Sequence, residues 1–362
     1  ISRDFGKTPD YIVTANARQA VGKIVNQYSA GIHSFCLIGS YGTGKSSFVL
    51  ALENCLLGNT SGNEVLFTIF GQFDNYHKFS FLNIVGDYAS MSSVLSEALK
   101  SDNVNCLAAF ESYYNKVHNK GKFLVVVVDE FGKILEHAAK NSPEKEMYFL
   151  QKFCEFVNDS NKNVIFLATL HQSFNAYAKG LKETQRQEWT KVKGRIFDIV
   201  FNEPIEQLLN LTSTRLSEKV TKTATANVDI AYRLAVKSKF ASNSLKPEVA
   251  VSLYPMDVMS AYVLTMANQR YGQNERTLFT FLESTGEGSI ATFEAQENYL
   301  YNLAEVYDYI TYSFYSRLQE INEDSANWSA IKIAIERAEG LNESSGFIDS
   351  SIKIIKAVGL LS

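Results

Sequence analysis

The sequence has no apolar run long enough to cross a bilayer, because its longest candidate, Phe123–Val128, has only the length of a strand. No signal-peptide pattern opens it, and we therefore expect a cytoplasmic protein with no membrane partner. Neither sign of charge dominates, since 35 basic and 39 acidic residues leave a formal charge of -4. This balance excludes a general attraction to nucleic acid or anionic lipid, although it is compatible with a local basic patch.

Cysteine is also scarce, with four residues that are widely spaced in apolar stretches: Cys36, Cys55, Cys106 and Cys154. Their spacing fits neither a zinc site nor a disulfide framework, so we expect buried thiols in a reducing cytosol. Internal repeats and low-complexity tracts are absent from the sequence. The chain opens at Ile1 without a methionine, and we expect a fragment of a longer polypeptide or a chain that lacks disordered stretches.

Strands that alternate with helices occupy the first part of the chain, whose 362 residues suggest two or three domains. Short β-branched and aromatic runs without a polar alternate face predict buried parallel strands. These runs are His33–Gly39, Val65–Phe70, Phe123–Asp129, Val164–Leu170 and the weaker Phe197–Asn202. Helical patterns lie at Lys45–Leu57, Ser92–Lys100, Leu107–His118, Glu144–Asn158 and Leu181–Lys191. The alternation predicts a doubly wound, mostly parallel five-stranded α/β sheet.

After Pro204 the pattern becomes helical, with almost no strand signal. Predicted helices are Ile205–Glu218, Val228–Ser238, Asp257–Arg270, Arg276–Leu282, Ala295–Glu323, Ser329–Ala338 and Asp349–Val358. We therefore predict an α/β domain over 1–203, a helical domain over 204–285 and a C-terminal helical region over 286–362.

The segment Gly39–Ser46 fits the phosphate-loop pattern G-x-x-x-x-G-K-[ST], with an apolar strand before it and an apolar helix after it. Glycines let several backbone N–H groups face one anion, and the following helix directs its positive end at the phosphates. Lys45 would add a cation for the β and γ phosphates, and the Ser46 hydroxyl can ligate Mg²⁺. The residues assigned to the nucleotide are Gly39, Tyr41, Gly42, Thr43, Gly44, Lys45, Ser46 and Ser47.

Two carboxylates follow the most apolar strand, at Asp129 and Glu130. Ligands of open α/β sheets bind at the carboxyl ends of the strands, which is where this pair would lie. Asp129 would hold Mg²⁺ through water, and Glu130 would orient and deprotonate the attacking water. A solvated acidic turn is the alternative, which the upstream phosphate loop disfavours.

A polar residue at the end of the Val164–Leu170 strand would lie beside Asp129 and could hold the water or the γ-phosphate. Thr169 is the first candidate and His171 the second. The alternative for Thr169 is a hydroxyl that satisfies a backbone group at a strand end.

These motifs, in this order, resemble those of the AAA+ ATPases and the related STAND signalling ATPases. Four stretches are also similar to the large ATPases of bacterial antiphage-defence systems, such as the ATPase subunits of BREX, and the ATPase of the RADAR system is another relative by this resemblance. The stretches are Asp129–Glu136, Thr169–Phe174, Glu188–Arg195 and Gly272–Phe279. The resemblance covers about Tyr11 to Leu282, and it implies an ATP- and Mg²⁺-dependent, AAA+-like ATPase that forms homo-oligomers with shared nucleotide sites.

Further residues take roles from this resemblance. The helical domain over 204–285 would be a lid, and Arg276 matches the arginine that a lid offers to the nucleotide. Tyr11 and Ile12 match the stretch that packs on adenine. Asn327–Ser362 resembles the opening of a winged-helix unit. A solvated arginine at a helix start and plain core contacts are the respective alternatives for Arg276 and for the Tyr11 segment.

Arg195 ends a basic stretch at the place where AAA+ relatives carry an arginine that reaches a neighbouring subunit's phosphate. From Lys179 to Arg195 the chain has six cations and two acids, in a protein that is otherwise slightly acidic. Arg186 is the second candidate, and Trp189 would anchor the segment against the partner. A solvated basic helix and a nucleic-acid contact are the alternatives.

Three functions fit these observations. The first is an ATP-hydrolysing oligomeric machine of antiphage defence, with a partner effector. The second is a STAND-like switch in which ATP binding locks an assembled state and turnover is incidental. The third is an initiator-like ATPase that binds DNA.

Overall fold

The chain divides into two compact units, Ile1–Asn202 and Glu203–Ser362. The computed structural model describes residues 11, 13–40, 43–58, 78–101, 105–202, 205–219, 226–241, 245–271, 281–282, 286, 288–293, 299–318 and 325–362. Within these ranges, no helix combines the length and the apolar character of a membrane span.

The first unit is built on a five-stranded sheet in which every paired strand is parallel. Its strands are β1 (Ser34–Ile38), β2 (Phe79–Val85), β3 (Phe123–Asp129), β4 (Val164–Leu170) and β5 (Phe197–Val200), in the order β2-β3-β4-β1-β5. The predicted fold class is therefore confirmed. Because β4 lies between β1 and β3, the residues that follow these three strands meet at one edge of the sheet.

Both faces of the sheet are covered, which is why its strands lack a polar face. On one face Val125 and Val127 pack with α1 (Ala15–Ser29) and α2 (Lys45–Leu56). On the other face Leu124, Val126 and Val128 pack with the remaining helices of the unit. These are α3 (Met91–Leu99), α4 (Cys106–His118), α5 (Phe131–Lys140), α6 (Pro143–Val157), a 3₁₀ helix (Phe174–Ala178) and α7 (Glu183–Lys193). All four cysteines are buried free thiols, as predicted.

One edge strand differs from the prediction. The predicted strand Val65–Phe70 lies outside the described residues, and the strand that pairs with β3 is Phe79–Val85. Its sequence FSFLNIV mixes polar and apolar residues, and its exposure varies along the strand. An edge strand has a neighbour on one side only, so it needs less apolar character than a central strand, and the search for apolar runs missed it.

Helix α5 was also missed by the sequence analysis, although it begins directly after Glu130. Glu130 adopts a left-handed backbone conformation, with φ of 55°, and this turn reverses the chain from β3 into the helix. Asparagine, aspartate and glycine are the usual residues for such a conformation, so a glutamate gives no turn signal.

The second unit is helical in its described residues. Its helices are α8 (Ile205–Lys219), α9 (Ala226–Lys237), α10 (Pro247–Ser252), α11 (Val258–Tyr271), α12 (Leu303–Ser313), α13 (Tyr315–Leu318), α14 (Ser325–Glu339) and α15 (Ser345–Leu361). Helices α8, α9, α11 and α12 supply much of its apolar core. Trp328 of α14 is half-buried, and its Nε1 donates to the Tyr271 hydroxyl at 3.3 Å. The predicted division of this unit at residue 285 stays a prediction.

The prediction of one long helix over Ala295–Glu323 was wrong. Tyr301 is extended and forms a parallel bridge with Met256, since its N–H donates to Pro255 O and its carbonyl accepts from Asp257 N. Asn302 then caps α12, its side-chain oxygen accepting from Ala304 N at 2.9 Å. The helix stops at Phe314. Backbone pairing and a capping side chain thus override the helical period of the sequence.

Candidate functional site

The phosphate loop begins where β1 ends, at the carboxyl edge of the sheet. Gly39 N donates to Leu170 O at 3.1 Å, which joins the loop to the end of β4. A side chain at Gly39 would meet the carbonyl oxygen of Phe201 at 2.2 Å, so this close approach requires glycine. Gly44 adopts a left-handed φ of 81° immediately before α2. Tyr41 and Gly42 lie outside the described residues.

Lys45 is the first residue of α2, and its side chain turns back over the loop. Its Nζ donates to Gly39 O at 2.5 Å and to Ser40 O at 2.7 Å. The Thr43 hydroxyl also donates to Ser40 O, at 2.9 Å. Burial lowers the pKa of Lys45 to about 8, against the opposing effect of the Asp129 carboxylate. The loop therefore holds its one described cation on its own carbonyls, inside the protein.

Three oxygen-bearing side chains from three elements converge beside Lys45. The Ser46 hydroxyl on α2 donates to the Asp129 carboxylate at the end of β3, at 3.1 and 3.3 Å to its two oxygens. The Thr169 hydroxyl near the end of β4 donates to Asp129 Oδ1 at 2.6 Å. Burial raises the pKa of Asp129, and the bonds from Thr169 and Ser46 act against that rise. Hydroxyl and carboxylate oxygens this close suit Mg²⁺, so the donor set fits the expected ion.

Glu130 stands next to this group, at the turn between β3 and α5. Its backbone N–H donates to the Thr169 hydroxyl at 3.0 Å, so one threonine joins both carboxylate residues. Gly86, after β2, lies against the same turn, and a side chain there would meet Glu130 O at 2.4 Å. The Glu130 carboxylate pairs with Lys133 at 2.5 Å. Neither Gly86 nor Lys133 was predicted from the sequence, although the three-residue spacing between Glu130 and Lys133 is a signal for such a pair.

The two candidates at the end of β4 occupy different surroundings. Thr169 is buried and bonds to Asp129, as described above. His171 is half-buried and shares a hydrogen bond of 3.1 Å between its Nδ1 and the Tyr177 hydroxyl. Burial lowers the pKa of His171. The structure thus brings Thr169, rather than His171, into direct contact with the carboxylate pair, and the role of each stays a prediction.

Arg195 lies at the amino ends of the strands, because it precedes β5. The phosphate loop follows β1, which is parallel to β5, and therefore lies at the carboxyl ends. Its guanidinium donates to Lys191 O at 2.6 Å and to Glu155 Oε1 at 2.8 Å. Hydrogen bonds from Gln151 and Lys152, together with Arg195, lower the pKa of Glu155 to about 2. Arg195 is therefore separated from its own loop by the length of the strands. Arg186 is exposed and donates to Lys179 O at 3.0 Å.

Trp189 does not face outward from the basic segment. Its side chain is fully buried against Phe174, and its Nε1 donates to Phe174 O at 3.0 Å. The interpretation of Trp189 as an anchor against a partner was wrong, since the apolar indole completes the core beneath α7 instead.

The remaining predicted nucleotide contacts are only partly described. Tyr11 packs partly buried against the core that includes α1 and α2. Ser47 is exposed on the first turn of α2. Ile12 and Arg276 lie outside the described residues, so an adenine contact and a lid arginine stay predictions.

No protein-family model matches this chain, and no curated protein matches it. Solved structures similar to it include the Aeropyrum pernix ORC2 protein (ADPNP-ADP complexes), at 10% identity and a TM-score of 0.40 over 99% of this chain and 97% of that one. Caenorhabditis elegans PCH-2 is similar at 12% identity and 0.37, over 88% and 73%. Drosophila ORC bound to DNA is similar at 15% identity and 0.30, over 90% and 75%.

The geometry of this chain's own residues defines its class. A parallel sheet with β4 between β1 and β3 carries a glycine-bounded loop, a buried lysine and an Asp129–Thr169 pair at one edge. These features define a parallel α/β fold of the P-loop type, and a helical unit follows it in the chain.

Proposed function

We propose that this chain binds ATP together with Mg²⁺ and hydrolyses it to ADP and phosphate, as an oligomeric AAA+-like ATPase. The observation that carries the proposal is the convergence of Ser46, Asp129 and Thr169 next to the buried Lys45. Lys45 and Ser46 lie on α2, Asp129 ends β3 and Thr169 lies near the end of β4. These three elements bring the four functional groups together at the carboxyl ends of the strands, where open α/β sheets bind ligands.

Each residue has a distinct task in this proposal. Lys45 exchanges the carbonyls of its own loop for phosphate oxygens, which form stronger, charge-assisted bonds. Ser46 and Asp129 would hold Mg²⁺, which neutralises phosphate charge when bound. A carboxylate oxygen of Glu130 accepts a proton from the water whose oxygen attacks the γ-phosphorus, as the bond to ADP breaks. Thr169 fixes the position of Asp129 and of the Glu130 backbone.

The setting in antiphage defence, with a partner effector, is supported by the sequence resemblance alone. A STAND-like switch is the second candidate, and the ion pair between Glu130 and Lys133 favours it. A general base that is occupied by a cation suits slow turnover, in which the bound nucleotide acts chiefly by holding an assembled state.

Sizing by light scattering tests the assembly directly. We expect the protein with Mg²⁺ and a slowly hydrolysed ATP analogue to reach several times its nucleotide-free mass, because subunits that share nucleotide sites are joined by the nucleotide. Lys45→Ala protein, mixed with the same analogue, is the control and should stay at the smaller mass. An unchanged mass for the parent protein would contradict the oligomer, and a large mass that is independent of nucleotide would contradict the shared sites.

Arg195 is the proposed contribution of one subunit to the site of the next. Its position at the amino ends of the strands supports a role in trans, since the length of β1 and β5 separates it from the phosphate loop of the same chain. The guanidinium is planar and suits a phosphoryl group whose charge is spread over three oxygens. Its present partner, Glu155, is about one-third exposed, so the exchange of this carboxylate for a phosphate costs little.

A mixing experiment tests this role. Arg195→Ala and Lys45→Ala proteins, each inactive alone, should recover hydrolysis when mixed. At equal amounts about one interface in four joins an intact loop to an intact arginine, so we expect about a quarter of the parent rate. Phosphate release at several mixing ratios provides the measurement.

The control is Arg233→Ala, which removes an exposed, ion-paired arginine of the second unit and should retain the parent rate. Sizing of the mixture with Mg²⁺ and the slowly hydrolysed analogue must show that Arg195→Ala and Lys45→Ala subunits assemble together. If Arg195→Ala protein alone is fully active, or if no ratio restores hydrolysis, Arg195 does not act in trans.

A further inference from the structure

Glu130 and Lys133 form an ion pair within the first turn of α5. Lys133 Nζ lies 2.5 Å from Glu130 Oε2, and the two side chains are 49% and 36% exposed. The backbone reinforces the proximity, because Lys133 N donates to Glu130 O at 3.1 Å. The two residues therefore lie one helical turn apart, close enough for their side chains to pair.

The main chain of Glu130 leaves little freedom to its side chain. Its φ of 55° is a conformation that few non-glycine residues adopt. Its N–H bonds to Thr169, and Gly86 packs so closely on its carbonyl that no side chain fits at position 86. Since the backbone is fixed on two sides, the carboxylate moves only by rotation about its own side-chain bonds. The ion pair with Lys133 restricts this rotation of the Glu130 side chain.

We propose that Lys133 is a positioning residue that restrains Glu130 and thereby lowers the basal rate of hydrolysis. This inference rests on the proposed function, in which Glu130 accepts the proton of the attacking water. While Lys133 donates to Oε2, a lone pair of the carboxylate is occupied and its direction is set by the helix. The pair must open, or rotate, before that oxygen accepts a proton from water.

The strength of the pair sets the size of the effect. Exposed ion pairs, and pairs on one helical turn, contribute at most about 1 kcal/mol, which corresponds to about a fivefold change in rate. Lys133→Met removes the ammonium and keeps an apolar stem, so we expect kcat to rise about two- to fivefold with KM unchanged. Lys133→Arg keeps a cation at this position and should have the parent kcat.

Steady-state phosphate release over a range of ATP concentrations measures both constants. Lys116→Met, at an exposed lysine of α4, is the matched control and should leave both constants unchanged. A second comparison places Lys133→Met in the Glu130→Gln protein. If Lys133 acts through Glu130, the added substitution changes nothing there, whereas an independent effect of the lysine charge would persist.

The outcomes separate this inference from the function on which it rests. If the parent hydrolyses ATP and Lys133→Met does so no faster, the restraint is wrong and the proposed function stands. A rise in KM with no rise in kcat would make Lys133 a substrate contact, which also overturns the restraint. If neither protein hydrolyses ATP, both proposals fail. A rise in kcat that Lys133→Arg does not reproduce and that disappears in the Glu130→Gln protein supports the restraint.

Discussion

Lys45→Ala should abolish the binding of ATP. In the structure the ammonium is buried over the loop and bonds to Gly39 O and Ser40 O, so the loop has no second described cation to replace it. Each charge-assisted hydrogen bond contributes about 1.5–3 kcal/mol, so the loss of even one weakens binding by about ten- to a hundredfold. Lys45 reaches more than one phosphate oxygen in this proposal, and the total loss should exceed that range. Titration with a fluorescent ATP analogue measures the affinity.

The comparison protein for this experiment is Lys116→Ala, which removes the same charge from an exposed site on α4. It should bind the analogue as the parent does. Circular dichroism must show that the Lys45→Ala protein is folded. A folded Lys45→Ala protein with the affinity of the parent would mean that the phosphates bind elsewhere.

Glu130→Gln should keep the affinity for ATP and lose hydrolysis. The amide preserves the shape of the side chain and still orients a water, but it does not accept a proton. Loss of a general base typically lowers the rate by about 10²–10⁴-fold. The fixed backbone at position 130 keeps the substituted residue at the same turn. Single-turnover phosphate release with bound ATP measures the rate.

Glu136→Gln is the matched control, since it neutralises an exposed glutamate of the same helix and should leave the rate unchanged. Asp129→Asn should also impair hydrolysis, through the loss of the carboxylate that contacts Ser46 and Thr169. Unchanged hydrolysis in Glu130→Gln, together with an inactive Asp129→Asn, would assign the proton transfer to another group.

Parts of the molecule that obey strong local rules could be predicted from the sequence. The central strands are long apolar runs, because they are buried on both faces. Lys45, Ser46, Asp129 and Thr169 were assigned to one site because the carboxyl ends of parallel strands share an edge. The structure places these four side chains together, with contacts of 2.6–3.3 Å between the hydroxyls and the carboxylate.

Other features depend on tertiary context and left no such signal. Strand β2 forms beside β3 although its own residues alternate poorly, and the turn at Glu130 uses a residue that rarely adopts a left-handed conformation. The extended stretch at Tyr301 exists because Pro255 and Asp257 bond to it across 44 to 46 residues. Trp189 was predicted to anchor the basic segment against a partner, whereas its side chain is buried within the first unit. The charge of a segment therefore does not predict the burial of a single side chain within it.

The two tryptophans can report separately on the two compact units by their fluorescence. The chain has two tryptophans, Trp189 in the first compact unit and Trp328 in the second. Trp189 is sealed in an apolar environment on Phe174, whereas Trp328 is half-buried beside Tyr271. The fluorescence of a buried tryptophan has its maximum at a shorter wavelength than that of a solvent-exposed one. A protein with only one of the two would therefore report the melting of a single unit, and the two spectra together would show whether the units unfold in one cooperative transition or in succession.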